Sequence, residues 1–245
     1  MKGILDRIRK ELQQEADEKT RQSGLRFFKE PVQLYGIKSA AVETLGKRYL
    51  KELHGRSKVE ILQLCEELWQ SGYMEESFIA CMWAYSRRKE FTPEDFPLFE
   101  RWVDAYVSNW AACDTLCNHT IGTFIQSYPA HLADLKRWAR SPNRWMRRAA
   151  AVSLIIPARQ GDFLPEIFEL ADILLMDEDD MVRKGYGWML KAASQAHQQE
   201  VFEFVMARKA VMPRTSLRYA IEKMPKALKE QAMAREPDRR KGGMR

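Results

Sequence analysis

The amino-acid sequence predicts an all-α protein, a curved stack of antiparallel helix pairs forming a HEAT-like helical-repeat solenoid. Three observations predict it. Apolar residues recur at helical spacing along almost the whole chain, no alternating run of β-branched residues competes with them, and the helices repeat at a near-constant period. Residues 1–234 read as one repeat domain. Residues 235–245, with three arginines, a lysine and two glycines after Pro237 and no apolar periodicity, read as a flexible basic tail.

Taken in order, the elements announce themselves by stripe and punctuation. Ile61, Leu64, Cys65 and Leu68 fall at i, i+3, i+4, i+7, as do Phe78, Cys81, Met82 and Tyr85. The pattern continues through Phe96, Phe99, Val103 and Tyr106, then Cys113, Leu116, Cys117, Thr120, Ile121 and Phe124, then Phe163, Ile167, Leu170, Ala171 and Leu174. Each reads as one buried stripe. Ser57-Lys58-Val59-Glu60 is a capping box, Thr92-Pro93 a cap followed by a first-turn proline, and Gly72 and Gly161 separate stripes.

The repeat is clearest where Trp145-Met146-Arg147-Arg148 aligns with Met181-Val182-Arg183-Lys184, 36 residues on. The same step backwards reaches Asn109 and then Tyr73, and forwards Leu217. Each helix pair can bury its stripe only against its neighbours, which is why the unit recurs.

Composition narrows the function. A net charge of +6 and a pI near 9.1 favour an anionic partner. No stretch approaches the roughly 18 apolar residues of a spanning helix, and no secretory leader opens the chain, so a cytoplasmic protein without membrane contact is expected. Cys65, Cys81, Cys113 and Cys117 form no Cys-x-x-Cys pair and read as reduced core thiols. His54, His119, His131 and His197 lack ligand spacing, so neither metal nor cofactor is expected.

Residues on successive second helices converge on one concave surface although far apart in sequence. Trp110 and Asp114, at i and i+4, share a side of their helix at the edge of the Cys113/Cys117/Ile121 stripe. In the next pair, Arg148 lies about 60° off the centre of the Trp145/Ala149/Val152/Ile156 stripe and can reach the concave side, whereas Arg147 points nearly opposite, into solvent. In the third, Met181, Gly185, Trp188 and Ala192 form a second stripe beside the buried one. Two indoles, a carboxylate and an arginine so placed describe a site for a cationic group beside a phosphate. Singly, each has a plainer reading: core tryptophans, a helix-dipole aspartate, and an arginine that is its ion-pair mate.

At these residues the chain resembles the AlkD family of bacterial DNA glycosylases, which excise alkylated bases on a HEAT-like fold. The resemblance rests on Asn109-Trp110-x-x-x-Asp114, Trp145-x-x-Arg148-Ala149-Ala150 and Lys184-Gly185-x-Gly187-Trp188-x-Leu190, with Leu34-Tyr35-Gly36-Ile37-Lys38 resembling the entry to the first full repeat. It spans residues 20 to 232. Where many members carry an acidic residue after the motif tryptophan, this chain has Ala111. The resemblance implies a catalytic Asp114, aromatic contacts from Trp110 and Trp188 to the damaged nucleotide's sugar, and a phosphate anchor at Arg148. Lys184, Lys38 and Arg218 are expected to add phosphate contacts. The expected substrate is double-stranded DNA carrying N3- or N7-alkylated purines, processed by a monomer without flipping the base into a deep pocket. The rival expectation is a helical-repeat module that binds DNA structure or a protein without catalysis.

Overall fold

A computed structural model describes residues 2–234, apart from the side chain of Lys2. The expected basic tail, residues 235–245, lies outside the described residues. The chain is all-helical: α1 (Lys2–Gln14), α2 (Glu18–Leu25), α3 (Ser39–Glu52), α4 (Lys58–Trp69), α5 (Met74–Ser86), α6 (Phe96–Ala105), α7 (Trp110–Thr115), a π-helical segment (Leu116–Ile121), α8 (Gly122–Ser127), α9 (Leu132–Trp138), α10 (Arg144–Val152), α11 (Ile155–Gln160), α12 (Leu164–Leu174), α13 (Asp180–Ala193), α14 (Gln198–Arg208), α15 (Arg214–Ala220) and α16 (Lys226–Met233). Extended pairing among the described residues is limited to an isolated bridge between Gln33 and Tyr73. Among the described residues no helix is long and apolar enough to cross a membrane.

From α4 onward the helices pair into a solenoid. First helices α4, α6, α9, α12 and α14 form one layer; α5, α7, α10, α13 and α15 open the second helices, which pack on one another in that order. The N-caps of the second helices are Tyr73, Asn109, Asn143, Asp179 and Pro213, so the period alternates between 36 and 34 residues. Asn109, Asn143 and Asp179 each accept from a backbone amide of the first turn, which sets the start of the helix and the register of every residue after it. The Ser57 box caps α4 as its sequence predicts. At Thr92-Pro93 the box closes a short 3₁₀ turn instead, and α6 begins only at Phe96.

Most predicted stripes are buried, with one instructive exception. On α5 the core face is Ile79, Ala80, Trp83 and Ala84, fully buried, while Phe78, Met82 and Tyr85 are only partly covered and face open space. α5 is apolar on two sides, so periodicity alone could not rank them. Its second apolar side belongs to the site.

Two second helices are interrupted where they touch. Pro157 lacks the amide that would bond to the Ser153 carbonyl, and the helix breaks into α10 and α11. The neighbouring helix meets that carbonyl with Gly122, where a Cβ would stand 2.8 Å from Ser153 O. On the Gly122 side the helix widens into the π segment, with the Gly122 amide bonding to Cys117 O, five residues back.

The N-terminal region is strapped across the second helices. Gly36, at φ +91°, lies so close to Asp17 O that a Cβ would stand 2.5 Å from it. The buried Glu75 carboxylate accepts the Tyr35, Gly36 and Ile37 amides at 3.1, 2.9 and 3.3 Å. Further along, Glu30 pairs with Arg144 at the start of α10.

Candidate functional site

Between the N-terminal region and the second helices lies a cleft of about 1590 Å³. Trp110, Asp114 and Trp188 all line it, Lys38 stands on its rim as the N-cap of α3, and Phe78 and Met82 form part of its apolar wall. The N-caps explain the convergence. Asn109 starts α7 so that Trp110 is its first residue and Asp114 its fifth, one turn apart on the same wall. Ala111 leaves that start intact, because the Asn109 side chain accepts from the Ala112 amide at 2.9 Å.

Asp114 is held from behind. Arg148 Nε donates to Asp114 Oδ1 at 2.9 Å and Nη2 to Oδ2 at 2.8 Å, a bidentate pair with the carboxylate side chain 14% exposed and the guanidinium 5%. The third guanidinium nitrogen donates to the Met181 carbonyl of α13. Gly185 lies beside this arm, where a Cβ would make ordinary contact, 3.4 Å from Arg148 Cγ. Gly187 serves the next contact, where a Cβ would lie 2.7 Å from Tyr219 Cβ on α15. Of the two glycines in Lys184-Gly185-x-Gly187-Trp188, Gly187 is thus the close-approach position that lets α13 lie against α15, while Trp188 lines the cleft.

Burial pushes the Asp114 carboxyl above its ordinary range, and the charge and hydrogen bonds of Arg148 pull against that without cancelling it. For Arg148, burial works against the charged form and Asp114 outweighs it, leaving the guanidinium more firmly protonated. The outcome is a carboxylate locked in orientation, with one face open to the cleft and a cation behind it. Arg148 itself is outside the cleft lining, and its donors are engaged within the protein, the setting of the ion-pair mate of Asp114 rather than of the phosphate anchor that the family resemblance implied.

A family model described as DNA alkylation repair enzyme matches residues 8–224. The chain belongs to that family. A solved structure described as a predicted DNA alkylation repair enzyme from Enterococcus faecalis superposes with a TM-score of 0.77 at 20% identity, covering 86% of this chain and 98% of that one. That likeness carries the fold alone. No curated protein matches the chain.

Within this alkylation-repair fold the remaining predicted residues fall on one register. Five residues after each second-helix N-cap stand Phe78, Asp114, Arg148, Lys184 and Arg218. Lys184 pairs with Asp180 one turn earlier at 2.7 Å and stays partly exposed, and Arg218 is exposed. Neither lines the cleft. Arg147, expected in solvent, instead binds Asp177 at 2.6 Å and the Ser141 and Pro142 carbonyls at 3.0 Å, tying the pair's connecting turns together.

Sequence reasoning missed other residues of the cleft. Phe28 stacks on Trp110 with ring centroids 5.5 Å apart, and the Trp110 indole donates to Phe27 O at 3.3 Å. Phe27 itself is 72% exposed. The signal was an aromatic pair in a segment without helical periodicity. Tyr85 and His119 line the same cleft, their rings 5.5 Å apart. Among the described residues no group of three His, Cys, Asp or Glu side chains is placed to hold a metal, and all four cysteines are buried thiols.

Proposed function

We propose that this alkylation-repair family member is a DNA glycosylase that hydrolyses the N-glycosidic bond of cationic N3- and N7-alkylated purines in double-stranded DNA. The observation that carries the reading is the Asp114 carboxylate, fixed from behind by Arg148 and turned toward a cleft walled by Trp110 and Trp188.

A purine alkylated at N3 or N7 is already cationic, so it leaves as a neutral molecule and little acid catalysis is needed. The remaining barrier is the positive charge that builds on the sugar as the bond breaks. A carboxylate in a partly dry cleft opposes that charge far more strongly than one in water, and indole faces add to it. Because Asp114 lines the cleft and Arg148 does not, the negative end of the pair stands nearer the substrate. The role we assign to Arg148 is to orient that carboxylate. Lys38, Lys184 and Arg218 are the residues we assign to phosphates, so affinity would fall with salt and depend little on sequence.

The test is release of N7-methylguanine and N3-methyladenine from duplex DNA, with uracil-containing DNA alongside. Release of the cationic bases and not of uracil is expected. A chain that binds such DNA and frees no base would leave the non-catalytic binding module as the better reading.

A further inference from the structure

Hydrolysis of a glycosidic bond yields a proton as well as a base, and the site described so far has no acceptor for it. Both Asp114 oxygens take hydrogen bonds from Arg148, and protonating that carboxyl would remove the charge that faces the sugar. His119 lines the same cleft. It follows Asp114 by five residues, which in an α-helix at about 100° per residue would turn it some 140° away. The π segment that begins at Leu116 adds a residue to that turn and brings position 119 back toward the Asp114 wall.

The imidazole is also uncommitted. His131 Nδ1 is bonded to Asp134 at 2.8 Å and His197 Nε2 to the Gly161 carbonyl at 3.0 Å, whereas His119 has no hydrogen-bond partner among the described residues and its ring lies 5.5 Å from that of Tyr85. Desolvation lowers its pKa, which favours the neutral, proton-accepting form. Charged and titratable groups on the elements that pack on it or face it include Tyr85 on α5, Arg88 in the turn after α5 with its guanidinium over the Tyr85 ring, Asp114 on α7, Arg148 on α10 behind Asp114, and Lys38, Glu43 and Lys47 across the cleft; α8 carries none.

We propose that His119 is a catalytic residue of the hydrolysis, the acceptor of the proton lost by the attacking water. The C1′–N bond breaks with its electron pair going to the purine, which was cationic and departs neutral. A water oxygen bonds to C1′, its O–H bond breaks, and the proton moves to the imidazole, which later passes it to solvent. This rests on the glycosylase reading above.

The experiment is single-turnover release of N7-methylguanine by the parent, His119→Gln and His119→Ala, across pH and with or without added imidazole. Melting temperature and DNA affinity are measured for each chain. Both variants should release base about tenfold more slowly at neutral pH, below the usual general-base range because the leaving group is already activated. The parent's rise in rate through the histidine range should flatten in the variants. Imidazole should restore His119→Ala in proportion to its unprotonated fraction and leave the parent unchanged. Parental rates and profiles in both variants would overturn the assignment of His119 alone. So would a slowed, well-folded His119→Ala that imidazole does not rescue. A parent that releases no base would overturn the glycosylase reading and this step with it.

Discussion

On the first-helix layer, Glu66 of α4 accepts from Arg101 at 3.1 Å, from Tyr106 at 2.7 Å and from the Trp102 indole of the following pair. One pair along, Glu100 accepts from Arg137 at 2.6 Å and the Trp138 indole at 2.8 Å, and further on Asp172 takes Arg208 at 2.6 Å. The second-helix layer is joined differently, by Arg144 of α10 to the α13 cap Asp179 at 3.0 Å and by Lys191 of α13 to Glu222 at 2.9 Å, contacts that do not recur at one register among the described residues. At its equivalent register the residues run Phe78, Asp114, Arg148, Lys184, Arg218, and the one ion pair within that series, Asp114 with Arg148, is buried beside a cleft. Repetition marks the chemistry that joins neighbouring pairs. Its failure marks the chemistry that the stack positions for something else.

The two layers also treat their carboxylates oppositely. Burial alone would raise Glu66, but the hydrogen bonds of Arg101, Tyr106 and Trp102 together outweigh it and leave the carboxyl below its ordinary range. At Asp114 burial wins. A well-satisfied acid stabilises a joint, whereas one kept under-satisfied has attraction left for a ligand.

The hardest test of that contrast is Arg148→Met. It strands a buried carboxylate, so a loss of about 3 kcal/mol in unfolding free energy is expected. Arg101→Met, at the half-exposed outer pair, should cost under about 1 kcal/mol. Denaturant titration of both variants measures the difference, and equal losses would erase the distinction between the layers.

Next in size is Asp114→Asn, which keeps shape and removes charge. Excision of N7-methylguanine should fall by about a hundredfold or more, roughly 3 kcal/mol at the transition state. Glu66→Gln should leave excision unchanged. Single-turnover kinetics on the two variants separate a functional carboxylate from a structural one.

The opposite shifts predict opposite pH dependences of stability. Glu66, with a lowered folded pKa, contributes stability that is present above its unfolded value near 4.5 and is lost as pH falls through the lower folded value. Asp114, with a raised folded pKa, contributes in the other sense: its share is full below about 3.8 and is lost as pH rises through the folded value. Acid titration of unfolding free energy should therefore show Glu66→Gln losing less stability than the parent below pH 4.5, while Asp114→Asn loses more. Parallel curves for all three chains would contradict the assignment.

Much of this division was legible before any coordinates. The 36-residue step, the Ser57 box and the stripes of α4, α6 and α12 depend on local periodicity and capping, which sequence expresses directly. Trp110, Asp114 and Trp188 could be grouped because they stand one, five and nine residues after their N-caps, about a turn apart on one helix side, and successive second helices turn that side the same way. What was hidden depended on partners. Phe78 and Met82 read as core because an apolar side chain carries no mark of whether it meets a helix or a cleft. Arg148 read as able to reach the concave side because its burial is set by partners on other helices, Asp114 of α7 and the Met181 carbonyl of α13. The π segment has no periodicity of its own to betray it, and with it went the placement of His119.

A smaller effect concerns the basic half of the second-helix register. Lys184→Ala and Arg218→Ala should each weaken DNA binding several-fold for all sequences alike and lower the salt slope by about 1. Substituting Lys136 on the first-helix layer, which pairs with Glu169, should change neither. Binding isotherms at several salt concentrations measure this, and an equal effect from Lys136→Ala would show that the charge path is not confined to one layer.

The smallest expected effect is also the finest probe of how the site is held. A Cβ added at Gly185 would stand 3.4 Å from Arg148 Cγ and 3.5 Å from Nη1, the near edge of ordinary contact. In a helix interior, alanine is favoured over glycine by about 1 kcal/mol, largely because the unfolded chain has less freedom to lose. Part of that gain goes into the contact, so Gly185→Ala should raise stability by about 0.5 kcal/mol and leave excision within about twofold of the parent. A variant that melts higher yet excises tenfold more slowly would be more informative still. It would mean that the guanidinium, and through it the Asp114 carboxylate, works only within a fraction of an ångström of its present place. The glycine would then be retained for geometry that the first-helix layer, with its repeated and interchangeable pairs, never requires.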